Sequence, residues 1–121
     1  MITITKVLPE KLESKTEGVF WYSISLQYEE NEETYSEVRR YIKENFPTKY
    51  EALGGDKYSP MGKAFRFEIK ERNEDVILDL IRATTTDHSS LAYLHTKSEY
   101  TSVRDFAEFI LKYCDVSKVT A

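Results

Sequence analysis

Three groups of residues in this chain have side chains or spacings that could do chemistry. The first is a run of acids, Glu29, Glu30, Glu32, Glu33 and Glu37, with no base among them. Such a run can present negative potential to a basic partner surface, or it can sit at the positive end of a helix dipole. The second is GGDKYSPMGK, residues 54–63, which holds three of the four glycines. The third is the pair of histidines, His88 and His95, with Asp87 beside the first and Cys114 further on.

Each group is tested by what its chemistry requires. A phosphate-cradling loop needs G-x-x-x-x-G-K-[ST], after a strand and opening a helix. Here six residues separate Gly55 from Gly62, Lys63 is followed by Ala64, and the next segment alternates as a strand. The glycines therefore read as turn chemistry between two paired strands, with Tyr58 at an exposed hairpin tip. The histidine spacing matches no metal-ligand pattern, and Cys114 falls at helical spacing after Ile110 and Leu111, as a small core residue would. No G-x-S-x-G marks a serine nucleophile. No catalytic residue, metal or cofactor is expected.

Trp21 is the only tryptophan. It lies on the strand face with Ser23, Ser25 and Gln27. Packing under the N-terminal segment or the last helix is one reading. A binding anchor or a platform for stacked bases is the other, with Arg66 and Lys70 as the flanking cations.

The elements that must position these residues follow from periodicity. Val19–Tyr28 alternates over ten residues, with Phe20, Tyr22, Ile24, Leu26 and Tyr28 on one face. Thr34-x-x-Glu37 has capping-box spacing, and Tyr35, Val38, Ile42 and Phe46 recur as a helix that Pro47 closes. Tyr50–Leu53 reads as a short strand. Ala64–Glu71 alternates again, with Phe65, Phe67 and Ile69 on one side. Asn73 caps a helix whose stripe is Val76, Ile77, Leu80 and Ile81. TTTDHSS reads as a loop, and Leu91–His95 as a strand. Ser98 or Thr101 opens a last helix with the stripe Val103, Phe106, Ala107, Ile110, Leu111 and Cys114. Ile2, Ile4 and Val7 suggest a short edge strand that Pro9 interrupts, and the last seven residues are expected to fray.

The expected fold is α+β, a ferredoxin-like β-α-β-β-α-β sandwich. One domain spans 1–121: an N-terminal strand and loop at 1–18, the ferredoxin-like core at 19–96 and a C-terminal helix at 97–115. The chain has 121 residues, 40% hydrophobic and 31% charged, with a net charge of -4. That size supports a core without staples, and the charge lacks the basic footprint of a nucleic-acid binder. The alternating N-terminus lacks a signal peptide's apolar block and one cysteine forms no internal disulfide, so a cytoplasmic location is expected.

From Phe20 to Thr96, FWYSISLQYE, a capped helix, YEALGGDKYSPMGKAFRFEI, a short helix and a fourth strand resemble the small ferredoxin-like endoribonucleases, the CRISPR-associated spacer-integration proteins and related antitoxin ribonucleases. The resemblance implies dimers that pair sheets edge to edge, so a homodimer is among the expected partners. It also implies metal-dependent RNA cleavage through an acid at the end of the first strand. Gln27, Tyr28 and Glu29 stand at that place, which makes Glu29, with Asp56, the candidate acids of a nuclease. The residues themselves point instead to a non-enzymatic protein-binding module, a regulator or inhibitor such as mobile elements encode. Glu29, Glu30, Glu32, Glu33, Glu37, Trp21 and Tyr58 are its candidate binding surface, and a nucleic-acid-handling protein with a basic surface is its expected partner. A small-ligand sensing domain is a further option.

Overall fold

In a computed structural model, residues 1–86, 88–94 and 99–119 are described. The first strand, β1, runs Ile2–Leu12 and the second, β2, runs Phe20–Tyr28. They pair antiparallel along nearly their whole length. β1 is far longer than the short edge strand expected. Its register shifts between Ile4 and Lys6, leaving Thr5 as an extra residue. Such a bulge switches the alternation, so Val7, opposite Leu26, joins Ile2 and Ile4 on the core face. Pro9 is accommodated because only β2 adjoins that part of β1: the other neighbour, Cys114–Asp115, pairs in parallel with Ile2 and Thr3 alone. A missing N–H costs little on an open side.

After β2, helix α1 spans Glu32–Asn45. Its cap is Asn31, whose side chain accepts from Thr34 N at 2.8 Å, so the expected cap at Thr34 stands one turn too late. Thr34 is instead buried. Asn31→Ala is expected to destabilise the fold by about 1 kcal/mol, read as a lower chemical-denaturation midpoint with an unchanged slope.

Helix α2 follows as Pro47–Leu53. Pro47 thus ends one helix and begins the next, in the first turn where its missing N–H is tolerated. Tyr50–Leu53, expected as a strand, is helical: Glu51, Ala52 and Leu53 are good helix formers and only Tyr50 is buried. Gly54 caps α2 at φ 116°, where a side chain would be strained. A 3-10 turn at Gly55–Lys57 then leads to β3, Ala64–Glu71. The glycine segment is turn chemistry, but it links a helix to a strand and forms no hairpin tip. Tyr58 is accordingly half-buried against the core rather than exposed.

Helix α3, Glu74–Thr85, has the expected cap, Asn73 accepting from Asp75 N at 3.0 Å. A 3-10 turn at His88–Ser90 lies in the expected loop, and the short helix α4, Leu91–Leu94, occupies the place of the expected fourth strand. Asp87 and His95 lie outside the described residues. Helix α5 spans Thr101–Tyr113, and β4 is Cys114–Asp115. Cys114 is buried as expected, but as a strand residue, because pairing with Ile2 ends the helix there. The segment expected to fray is therefore tied to the sheet at its start, and Val116 is buried.

The described elements give an α+β fold with one four-stranded mixed sheet, in the order β3-β2-β1-β4. The order along the chain is β-β-α-α-β-α-α-α-β, not β-α-β-β-α-β. Short runs such as 50–53 and 91–94 read alike as strands or helices, and both are helical. One buried cluster joins Ile4, Ile24, Leu26 and Ile69 to Val38, Ile77, Leu80, Phe106 and Ile110. No described helix is long and apolar enough to cross a membrane.

Glu74 ties the top of this arrangement together. Its Oε2 lies 2.8 Å from Lys11 Nζ and accepts from Tyr22 OH at 2.6 Å. Lys11 and then Tyr22 hold the carboxyl below its ordinary range. Burial, then Glu74, pushes Tyr22 up to about 12. Tyr35 is pushed up to about 12 by its hydrogen bond to Glu30, and Tyr41 to about 12 by burial. A folded tyrosine above its unfolded value contributes stability that is complete below about pH 10 and disappears as pH rises toward the folded value. The lowered Glu74 contributes stability above its unfolded value, about pH 4.3, that is lost as pH falls. Thermal melts across pH are expected to show both shoulders, and Glu74→Gln to flatten the acid one; an unchanged acid shoulder would refute the role given to Glu74.

Candidate functional site

The sheet has one well-covered face, and β3 forms one of its edges. β3 pairs with β2 from Ala64↔Gln27 to Glu71↔Phe20, and among the described residues no strand pairs with its outer side. The direction of its backbone groups follows from one side chain. Ser102, at the start of α5, accepts from Lys70 N at 3.1 Å and donates to Lys70 O at 3.4 Å. Lys70 therefore points its N–H and C=O away from β2. In an antiparallel ladder the direction alternates residue by residue, so Glu68, Arg66 and Ala64 point outward too. Ser102 takes the place of a next strand at one position and leaves the remainder of the edge open.

Beneath this edge lies an aromatic groove with helices for walls. Tyr41 of α1 is its hub, with ring centroids 4.8 Å from Phe109, 4.7 Å from Tyr113, 5.6 Å from Phe65 and 6.0 Å from Phe46. The ring angles are steep, between 67° and 88°, the edge-to-face arrangement that aromatic quadrupoles favour. Two cavities share Tyr41, Phe46 and Phe67 and form one trough. The first, about 410 Å³, lies toward α5. The second, about 450 Å³, lies toward α2 and is also lined by Leu53 and Tyr58. Phe46 is 49% exposed and Leu53 38% exposed, so the rim presents apolar surface to solvent.

The charges on the two halves are opposite. Glu68, Asp105 and Glu108 line the first cavity, with Lys112 held by Glu108 at 2.8 Å. Lys49, Lys63 and Arg66 line the second, and no acid is among its described lining residues.

The run of acids lies elsewhere and is largely occupied by the fold. Glu29 faces Lys118 at 3.6 Å. Glu30 accepts from Tyr35 OH and from Gly62 N at 3.2 Å, clamping the turn before β3 to the start of α1. Glu32 pairs with Arg39 at 3.3 Å, and Glu37 with Arg40 at 3.3 Å. Glu33 is exposed in the first turn of α1. Asp56 accepts from Tyr50 OH, a contact separate from those of Glu29. Among the described residues no three histidines, cysteines or acids are grouped to hold a metal. Burial pushes the Cys114 thiol up, away from reactivity.

Trp21 does lie on the face without the buried helix cluster, and it is half-buried there. Lys15 Nζ sits 5.2 Å and Lys70 Nζ 5.4 Å from its ring centroid, and Lys70 is also 5.3 Å from Tyr100. Arg66 Nε donates to Ser23 Oγ at 2.8 Å on the same face. Lys15 and Tyr100, far apart in sequence, were not foreseeable members of this group.

Comparison with protein-family models, with curated proteins and with solved structures finds no match. The site is read from its own residues. Of the expected surface only Tyr58 lines the groove. Tyr41, Phe109 and Ser102 escaped the sequence reading, and Phe46, expected on the buried stripe of α1, is instead its exposed C-cap.

Proposed function

We propose that this protein is a protein-binding module, of the regulator or inhibitor kind, and that a segment of another protein docks in the aromatic groove beside β3. The observation that supports it is the conjunction of an unpaired strand edge with an exposed apolar rim at Phe46 and Leu53. Exposed edges and contiguous apolar patches are surfaces that soluble proteins otherwise suppress. The acidic run contributes less to this reading, because four of its five members already have partners within the chain. Replacing Glu33 alone is expected to leave binding unchanged.

Affinity capture from native-host lysate, with nuclease treatment, tests the proposal. The expected result is a stoichiometric protein that wild type retains and the double variant Phe46→Asp, Leu53→Asp releases. Retention of nucleic acid with no protein would overturn it.

The Lys15, Trp21, Lys70, Tyr100 group favours a second reading, single-stranded nucleic acid stacked on the helix-free face. Because Trp21 is the sole tryptophan, its fluorescence reports that face directly. A salt-sensitive quench by an oligothymidylate would support this reading; an unaltered spectrum at saturating oligonucleotide would end it.

A further inference from the structure

We infer that the docked segment adds to the sheet as a strand along Ala64–Glu68, with apolar residues at alternate positions, an acid at its Lys63 end and a base at its Asp105 end. This rests on the protein-binding reading above and names the mode and chemistry of the partner. Three observations carry it. The backbone groups of Arg66 and Glu68 point outward in phase with those of Lys70 that Ser102 satisfies, and among the described residues no strand pairs with them. An extended segment placed there turns every second side chain into the trough over Phe46, Phe65 and Phe67, and strand addition gains affinity from main-chain bonds and specificity from such alternate positions. The trough is cationic at Lys49 and Lys63 and anionic at Asp105, beside the Glu108–Lys112 pair, so a segment of one polarity fits and the reverse is repelled. The two ends of Ala64–Glu68 lie about 13 Å apart at strand rise, which sets four to six residues between the partner's charges.

Ser102 supplies a limit as well. It occupies the Lys70 groups, so the added strand stops short of the N-terminus of α5. The occupant is thus a short extended segment and not a long strand.

The test uses the full chain and labelled heptapeptides with phenylalanine at positions 3 and 5 and threonine at positions 2, 4 and 6, so that the end residues share the apolar face. One carries glutamate first and lysine last, a second the reverse, and a third glutamine at both ends. Fluorescence anisotropy is expected to show one charged peptide binding, in preference to the other two, with affinity falling as salt rises. Glu68→Pro removes an outward N–H while leaving the β2 ladder intact, and it is expected to weaken that peptide about tenfold or more, whereas Glu68→Ala weakens it far less. Should Glu68→Pro fail to fold, the surface variant Lys49→Glu, Lys63→Glu serves instead. It is expected to lose the preferred peptide and to gain one whose acid is replaced by lysine.

Equal binding of all three peptides, or of none at millimolar concentration, overturns the inference. So does a tight dimer in sedimentation that Glu68→Pro dissociates, since a second copy then owns the edge. A lysate partner retained equally by wild type and Glu68→Pro leaves the protein-binding function standing and removes this edge as its site. Failure of both the peptides and the lysate capture removes both.

Discussion

Phe106→Ala is expected to cost about 3–5 kcal/mol, the range for emptying a buried aromatic site. Phe106 is 0% exposed, the largest of the fully buried side chains. Its ring meets Phe67 at 5.2 Å and 87°, so it fastens α5 to the edge strand β3. A domain of this length has roughly 6–18 kcal/mol of total stability, and the loss is a large part of it. The site cannot readily collapse, because a sheet lies on one side and Val103, Ala107 and Ile110 of the same helix are themselves buried. Denaturant titration at fixed pH measures the change. Phe106→Leu is expected to recover more than half of it by restoring volume. A loss below about 1 kcal/mol for alanine would mean that α5 is held by other contacts and that the groove wall is not rigid.

Tyr41→Ala is the second large effect, about 2–4 kcal/mol, and it falls on stability and binding together. Tyr41 has four aromatic neighbours, Phe46, Phe65, Phe109 and Tyr113. Each such pair contributes about 0.5–1.5 kcal/mol beyond burial. The same ring separates and lines both halves of the trough. Its removal is expected to merge them into one shapeless space and to weaken the preferred peptide. Tyr41→Phe keeps the ring and is expected to cost less than about 1 kcal/mol, with peptide affinity retained. Equal losses from alanine and phenylalanine would assign the effect to the hydroxyl and refute the ring-packing account. Calorimetric melts and the anisotropy assay separate the two contributions.

These two side chains also show why the groove was hard to read from the residues in order. Phe106 is legible: it recurs with Val103, Ala107 and Ile110 at helical spacing, and a local period reports a buried face without reference to anything distant. Tyr41 is not legible. It stands at the margin of the stripe of Tyr35, Val38 and Ile42, and three of its four ring partners, Phe65, Phe109 and Tyr113, come from other elements. Ser102 likewise looks like one more polar residue near a helix start until β3 lies beside it.

The sequence by itself determined the long alternating strands β2 and β3, the capped helix α3 and most of the apolar stripe of α5, where Leu111 proves exposed and Phe109 buried, because strand and helix periods are properties of consecutive residues. It also ruled out a phosphate loop, since that chemistry demands a local pattern. Tertiary structure alone decided the rest. The bulge at Thr5 lengthened β1 because pairing with β2 rewards keeping Val7 on the core face. Residues 91–94 became helical because a short apolar run carries too little local preference to fix its own type, and the largely exposed 50–53 followed its helix formers once no strand lay beside it. The acids at 29–37 were drawn into partnerships with Lys118, Tyr35, Gly62, Arg39 and Arg40, most of them from outside the run. The open edge of β3 and the opposite charges along its trough exist only where α1, α2 and α5 meet that strand, because exposure and charge complementarity belong to surfaces that distant segments build together.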